Sequence, residues 1–223
     1  MNRTIFLLLC TLLIGVSKAE RVARILYYQA PREAPKEAFV YQEGAEPAKV
    51  NLERYNFSSP FEINSGDVKL FFLPKELQAD EKIPSSAPSV IIPADWSKVL
   101  LIVGENVENS VMPIVVYPIN ASPNVFGPGD RYFINYSDVT VQGSIGGEEV
   151  KILPKSKEII SKQTTSKKFS YIELNAINPK TKKETWLLKQ NSAYNPDYRY
   201  LFFVTNLKPP RVAKLYATEL RSL

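Results

Sequence analysis

The stretch Gly127-Pro128-Gly129-Asp130-Arg131-Tyr132-Phe133-Ile134-Asn135-Tyr136-Ser137-Asp138-Val139-Thr140-Val141 reads as turn, strand, turn, strand. Gly-Pro-Gly-Asp is turn chemistry, and Tyr132–Tyr136 is an aromatic and β-branched run closed by Ser137-Asp138. A second run, Val139–Val141, follows at once. No apolar residues recur at the i, i+3, i+4 spacing of a helix across a dozen positions.

The same grammar extends in both directions. Toward the N-terminus lie Ile25–Tyr28, Phe39–Tyr41, Val68–Leu73, Val90–Ile92, Val99–Val103 and Ile114–Tyr117. Toward the C-terminus lie Val150–Leu153, Tyr171–Leu174, Trp186–Leu188, Tyr198–Val204 and Val212–Tyr216. Each is short and ends at Pro, Gly, Asn or Asp, which predicts strands joined by turns and an all-β fold. Ser156–Gln163 is the best stretch for a short helix. With 44% hydrophobic and 23% charged residues in 223, the chain is long and apolar enough for one or two cores.

Pro118–Asp130 is the richest Pro/Gly/Asn stretch near mid-chain, and cutting there leaves two pieces of about 100 residues, the size of an immunoglobulin-like sandwich. Their runs can be laid side by side. Arg24–Tyr28 meets Arg131–Asn135, Phe39–Tyr41 meets Val139–Val141, and Val68–Leu73 meets Tyr171–Leu174. Val90–Ile92 then meets Trp186–Leu188, Val99–Val103 meets Leu201–Val204, and Ile114–Tyr117 meets Lys214–Tyr216. The expectation is two tandem immunoglobulin-like β-sandwich domains, an acidic one over 20–122 and a basic one over 123–223. One continuous sandwich is the competing architecture.

The turn-strand sequence Gly127–Ser137, followed by Val139-Thr140-Val141-Gln142-Gly143, resembles a group of uncharacterised exported bacterial proteins with tandem immunoglobulin-like β-sandwich lobes. The resemblance implies a sandwich fold and an exported, non-catalytic role. It carries no active residues to transfer.

Residues 1–19 read as a cleavable signal peptide. Arg3 gives the basic start, Ile5 to Val16 the apolar core, and Ser17-Lys18-Ala19 the small-residue cleavage site. The core is too short for the roughly 20 residues that span a bilayer, so a retained anchor is disfavoured. Cys10 follows Leu8-Leu9 rather than the small residues of a lipidation site. Cleavage after Ala19 leaves a soluble mature chain without cysteine, which suits a periplasmic or extracellular protein held by core packing alone. Asn56-Phe57-Ser58, Asn120-Ala121-Ser122 and Asn135-Tyr136-Ser137 match the glycosylation sequon.

The chain has no histidine, so serine and cysteine triads and histidine-bearing zinc sites are excluded. Paired carboxylates survive as a catalytic option. Asp80-Glu81, Glu105, Glu108 and Glu148-Glu149 lie in polar, turn-like contexts without the apolar walls that raise a carboxyl pKa. No catalytic residue, cofactor or metal site is assigned. Asp130 and Asp138 flank a strand, but no EF-hand string occurs. Gly146-Gly147 suits a hairpin turn better than a phosphate loop. Trp96 and Trp186 read more readily as core packing than as ligand platforms, and Tyr194, Tyr198 and Tyr200 as a possible aromatic rim.

Charge is the sharpest functional clue. Residues 21–150 carry 11 basic and 17 acidic side chains, a net of −6. Residues 151–223 carry 15 basic and 5 acidic ones, a net of +10. Lys155, Lys157, Lys162, Lys167, Lys168, Lys180, Lys182 and Lys183 therefore form a candidate polyanion patch. Its partner would be an anionic cell-envelope polymer or an acidic protein face, and nucleic acid is unexpected in that compartment. The alternative is a solvated lysine surface that protects strand edges. Two other functional readings remain. One is a periplasmic pilus-assembly-type chaperone, with Val68–Leu77 as an exposed donor-strand run. The other is a carboxylate-dependent enzyme acting on glycans.

Overall fold

The computed structural model describes residues 21–161, 169–206 and 213–220. Among these the chain is all-β, without a helix. The first eight strands are β1 (Val22–Tyr27), β2 (Glu37–Tyr41), β3 (Ala48–Asn51), β4 (Phe61–Glu62), β5 (Val68–Leu73), β6 (Ser89–Ile92), β7 (Lys98–Glu105) and β8 (Ile114–Asn120). The second eight are β9 (Arg131–Asn135), β10 (Thr140–Ile145), β11 (Glu148–Ile152), β12 (Lys157–Ile160), β13 (Phe169–Ile177), β14 (Glu184–Ala193), β15 (Arg199–Asn206) and β16 (Ala213–Leu220).

They form four four-stranded sheets, ordered β3-β2-β5-β6, β4-β1-β7-β8, β12-β9-β15-β16 and β11-β10-β13-β14. The second eight strands thus repeat the order of the first eight. Each half has one parallel pair, β1 with β7 and β9 with β15; every other pairing is antiparallel. The order differs from the A-B-E-D and C-F-G sheets of an immunoglobulin domain. It keeps β2 beside β5 but places β3 against β2.

Three apolar layers explain which strand went where. The first lies between β3-β2-β5-β6 and β4-β1-β7-β8, with Ile25, Val40, Leu70, Phe72 and Leu101 among its fully or nearly fully buried residues. An equivalent layer in the second half contains Phe133, Val141, Leu174 and Phe202. The third joins the halves. Leu26, Leu100, Ile102 and Ile119 meet Ile134, Leu201 and Phe203, with Phe126 of the connecting segment buried among them. The two central sheets, β4-β1-β7-β8 and β12-β9-β15-β16, are therefore covered on both faces, and the other two form the outside.

Strand sequences carry this distinction. In β7, Val99-Leu100-Leu101-Ile102-Val103 is buried without interruption, as is Arg199-Tyr200-Leu201-Phe202-Phe203-Val204 in β15. Strands β2 and β13 of the outer sheets alternate buried positions with half-buried or exposed ones, as one-faced strands do.

Hydrogen bonds fix how the halves correspond. Tyr28 N–H donates to Val103 O at 3.0 Å, and Tyr136 N–H donates to Val204 O at 2.8 Å. Tyr28 thus corresponds to Tyr136, whereas the sequence pairing set it against Asn135. A one-residue slip sends every side chain of a strand to the wrong face, and burial on both faces hid the error. Tyr28 and Tyr136 stack on each other across the seam at 6.4 Å.

Other sequence expectations are refined here. Lys157–Ile160 is strand β12 rather than a helix, because its backbone completes a sheet edge beside β9. Val68–Leu73 is paired on both sides, with β2 and β6, so it is not an exposed donor strand. Gly146-Gly147 forms the two-residue β10–β11 turn, with φ of 62° and 95°, the left-handed values that glycine tolerates.

Asn135 organises the turn after β9. Only 1% exposed, its Nδ2 donates to Val139 O at 2.8 Å and Leu153 O at 2.9 Å. Its Oδ1 accepts from Ser137 N at 3.0 Å and Ser137 Oγ at 2.6 Å. The Asn135-Tyr136-Ser137 sequon is therefore a buried turn clamp, with no amide left to carry a glycan in the folded chain.

Candidate functional site

The surface richest in unspent chemistry is the solvent face of the β11-β10-β13-β14 sheet. Alternation along β13 points Phe169, Tyr171, Glu173 and Asn175 outward. Register then places Asn191, Lys189 and Trp186 beside Tyr171, Glu173 and Asn175 respectively. From β10 and β11, Ser144 and Glu149 continue the Glu173 row, and Gln142 and Lys151 the Asn175 row.

Three aromatic side chains stand exposed on this one face: Trp186 at 72%, Phe169 at 63% and Tyr171 at 41%. Trp186 thus departs from the expected core role, because the register shift at Leu174/Asn175 sets it beside Asn175 on the outer face. Trp96, in contrast, packs against the first core.

Glu173 is the polar centre. Its Oε1 accepts from Lys189 Nζ at 2.9 Å, and Tyr171 Oη donates to its Oε2 at 3.4 Å. The Lys189 hydrogen bond holds the Glu173 carboxyl below the usual carboxylate range, and the same contact pushes the Lys189 ammonium up. Lys189 Nζ also lies 5.8 Å from the centre of the Trp186 ring. Beside this group is an open cleft of about 630 Å³ with Gln142, Ser144, Glu149, Lys151, Glu173 and Asn175 in its walls. Gly143 is required at its floor. A Cβ there would sit 1.9 Å from Glu173 O, so only glycine lets β10 approach β13 so closely. Asn175 Oδ1 is buried and has no hydrogen-bond partner among the described residues.

The sequence-predicted lysines lie elsewhere. Lys180, Lys182 and Lys183 are exposed in the β13–β14 turn, where Asn178 Oδ1 accepts from Lys180 N at 2.9 Å. Lys157 is exposed at the start of β12. Lys155 is engaged: its Nζ donates to Tyr136 O at 2.6 Å and pairs with Asp138 at 2.9 Å. Register puts Lys155, Lys157 and the 180–183 turn at the end of the second half where β10 begins. Lys162, Lys167 and Lys168 lie outside the described residues.

Asp138 also accepts from Asn206 Nδ2 at 2.7 Å. The Lys155 contact and then the Asn206 contact hold its carboxyl below the ordinary aspartate range. A depressed acid stabilises the fold above its unfolded pKa and loses that contribution as pH falls through the folded one. We expect the Asp138 carboxyl to titrate below an ordinary aspartate in a carbon-detected NMR titration. In Asn206→Ala its midpoint should rise.

The remaining polar clusters are structural. Arg21 donates to the carbonyls of Trp96, Asn64 and Gly66 at 2.7, 2.6 and 2.6 Å, and also to Pro93 O, so its fork is spent on backbone. Tyr194 and Tyr200 do not make an aromatic rim. They are buried and stacked at 5.9 Å, and Tyr194 lies 4.6 Å from the Arg131 guanidinium. Among the described residues no three His, Cys, Asp or Glu side chains are placed to hold a metal ion.

No protein-family model matches the chain, and no curated protein matches it significantly.

Proposed function

We propose that this is an exported, non-enzymatic binding protein of the cell envelope, working through the outer face of its basic second half. The observation that carries the reading is the grouping of exposed Trp186, Tyr171 and Phe169 with paired and unpaired polar groups on one rigid sheet face. Large aromatic side chains on a monomer's surface are a standing cost in water, relieved when a partner covers them. The exposed lysines 180, 182 and 183 stand in the turn at the end of that sheet, outside the cleft, and add long-range attraction toward an anionic envelope surface.

The rest of the proposal concerns architecture and location. Each half is read as a sandwich unit, immunoglobulin-like in size and layering though not in strand order, with the boundary near residue 122. Export by the 1–19 signal fits a first strand that begins at Val22. The Glu173 carboxyl, held down by Lys189, is unsuited to the general-acid role of a glycan-cleaving pair. The chaperone role is disfavoured by the two-sided pairing of Val68–Leu73.

The test is co-sedimentation of the purified chain with isolated envelope fractions, sacculi and outer-membrane vesicles, at low and moderate salt. Retention in at least one fraction is expected. No retention in any fraction at low salt would overturn the proposal.

A further inference from the structure

We propose that the cleft on the β11-β10-β13-β14 face is a saccharide site, with a sugar ring stacked on Trp186 and its hydroxyls held by Asn175, Gln142 and Ser144. This rests on the binding role proposed above and names the chemistry of its ligand.

Three observations select a sugar. First, a pyranose has an apolar C–H face and an equator of hydroxyls that both donate and accept. The site offers an exposed indole beside amide, hydroxyl, carboxylate and ammonium groups. Second, Asn175 Oδ1 is a buried acceptor with no donor among the described residues. Leaving such an atom dry is costly, and because Asn175 lines the cleft, a small rotation of its amide lets a ligand hydroxyl supply the missing proton. Third, Glu149, Glu173 and Glu184 line the cleft, with Lys151 the one cation in its walls among the described residues. Lys189 is committed to Glu173. A polyanion would be repelled from such walls, and a hydroxyl-rich neutral chain would not.

Dimensions agree. A volume of about 630 Å³ falls within the range that encloses small organic ligands. Along β13, from Phe169 to the Asn175–Trp186 pair, the face runs about 20 Å, room for several linked rings with an aromatic at each end. A second copy of the chain is a poorer occupant, because Glu173, Lys189 and Asn191 interrupt the aromatic surface and would be desolvated without partners.

The chain holds two tryptophans, and only Trp186 is strongly exposed, so intrinsic fluorescence reports on the site. The purified chain is titrated with cellohexaose, chitohexaose and laminarihexaose, with polygalacturonate as the anionic probe. At least one neutral hexasaccharide should shift the emission to the blue and protect it from acrylamide quenching. Trp186→Ala should weaken that binding by about tenfold or more, measured by calorimetry, with an unchanged melting temperature. Asn175→Ala should weaken it as well.

Envelope retention without any response to the neutral hexasaccharides would overturn the sugar site and leave the binding role standing. Loss of both would overturn both. Oligosaccharide binding that survives Trp186→Ala, or quenching protection that appears only as protein concentration rises, would also overturn the site.

Discussion

Replacing Phe203 with alanine should destabilise the protein by about 3–5 kcal/mol, although the residue lies in no sandwich interior. Its side chain is 1% exposed and its ring stacks on Tyr28 at 4.4 Å, on the face of β15 turned toward the other half. Truncation leaves a cavity in the layer formed by Leu26, Leu100, Ile102, Ile134 and Leu201, which belong to strands on both sides of the seam. The walls are central strands of two sheets, held by ladder hydrogen bonds on either side, so they cannot collapse inward to fill the gap. The measurement is urea unfolding followed by tryptophan fluorescence and far-UV circular dichroism. Tyr117→Ala is the control. That tyrosine borders the same seam but is 40% exposed, so its loss should cost about 1 kcal/mol or less.

The same seam should make unfolding cooperative across the halves. Split apart, each half would present water with Leu100 and Ile102, or with Leu201 and Phe203, and burial of such side chains is worth about 1.5–3 kcal/mol each. Fluorescence and circular dichroism should therefore report one coincident transition in the native chain. In Phe203→Ala the two curves should draw apart, since Trp96, packed on the first core, dominates the fluorescence change while Trp186 is already exposed and circular dichroism follows both halves.

The seam is written in the sequence as a contrast between two kinds of strand. Val99–Val103 and Tyr200–Val204 are unbroken apolar runs, whereas Val68-Lys69-Leu70 and Ile172-Glu173-Leu174-Asn175-Ala176 alternate. Continuous runs mean two covered faces, and two such runs, one in each half, point to sheets buried against each other. Most strand positions and the repeated order of the long strands were legible from turn chemistry and patterning, whereas the short edge strands β3, β4 and β12 were not. Trp186 was not, because a tryptophan at a strand start is apolar on either face and a β-bulge decides which one it takes. The lysine patch showed composition's limit. A count registers Lys155 as a free cation, and only coordinates reveal that Asp138 and the Tyr136 carbonyl occupy its ammonium.

Asn135 illustrates the same limit from the stability side, and its replacement should rank beside that of Phe203. Asn135→Ala removes two donated and two accepted hydrogen bonds at a site with almost no access to water. The carbonyls of Val139 and Leu153 lose their amide donor, and Ser137 loses its acceptor. Each buried group left unmatched costs about 1–3 kcal/mol, so a total loss of about 3 kcal/mol or more is expected. Asn135→Asp separates this account from simple packing. An aspartate has nearly the same shape and still accepts from Ser137, but its carboxylate would face two carbonyl oxygens with no proton to offer. Burial and those oxygens would raise its folded pKa above the unfolded value. A raised acid leaves stability intact below the unfolded pKa and erodes it as pH rises toward the folded one. Asn135→Asp should therefore be less stable than Asn135→Ala at neutral pH, and recover part of the difference at about pH 4, where a protonated carboxyl can donate one bond. Native-like stability of Asn135→Asp at both pH values, with a loss only in Asn135→Ala, read from urea midpoints, would show that the clamp acts through its volume and not through its amide.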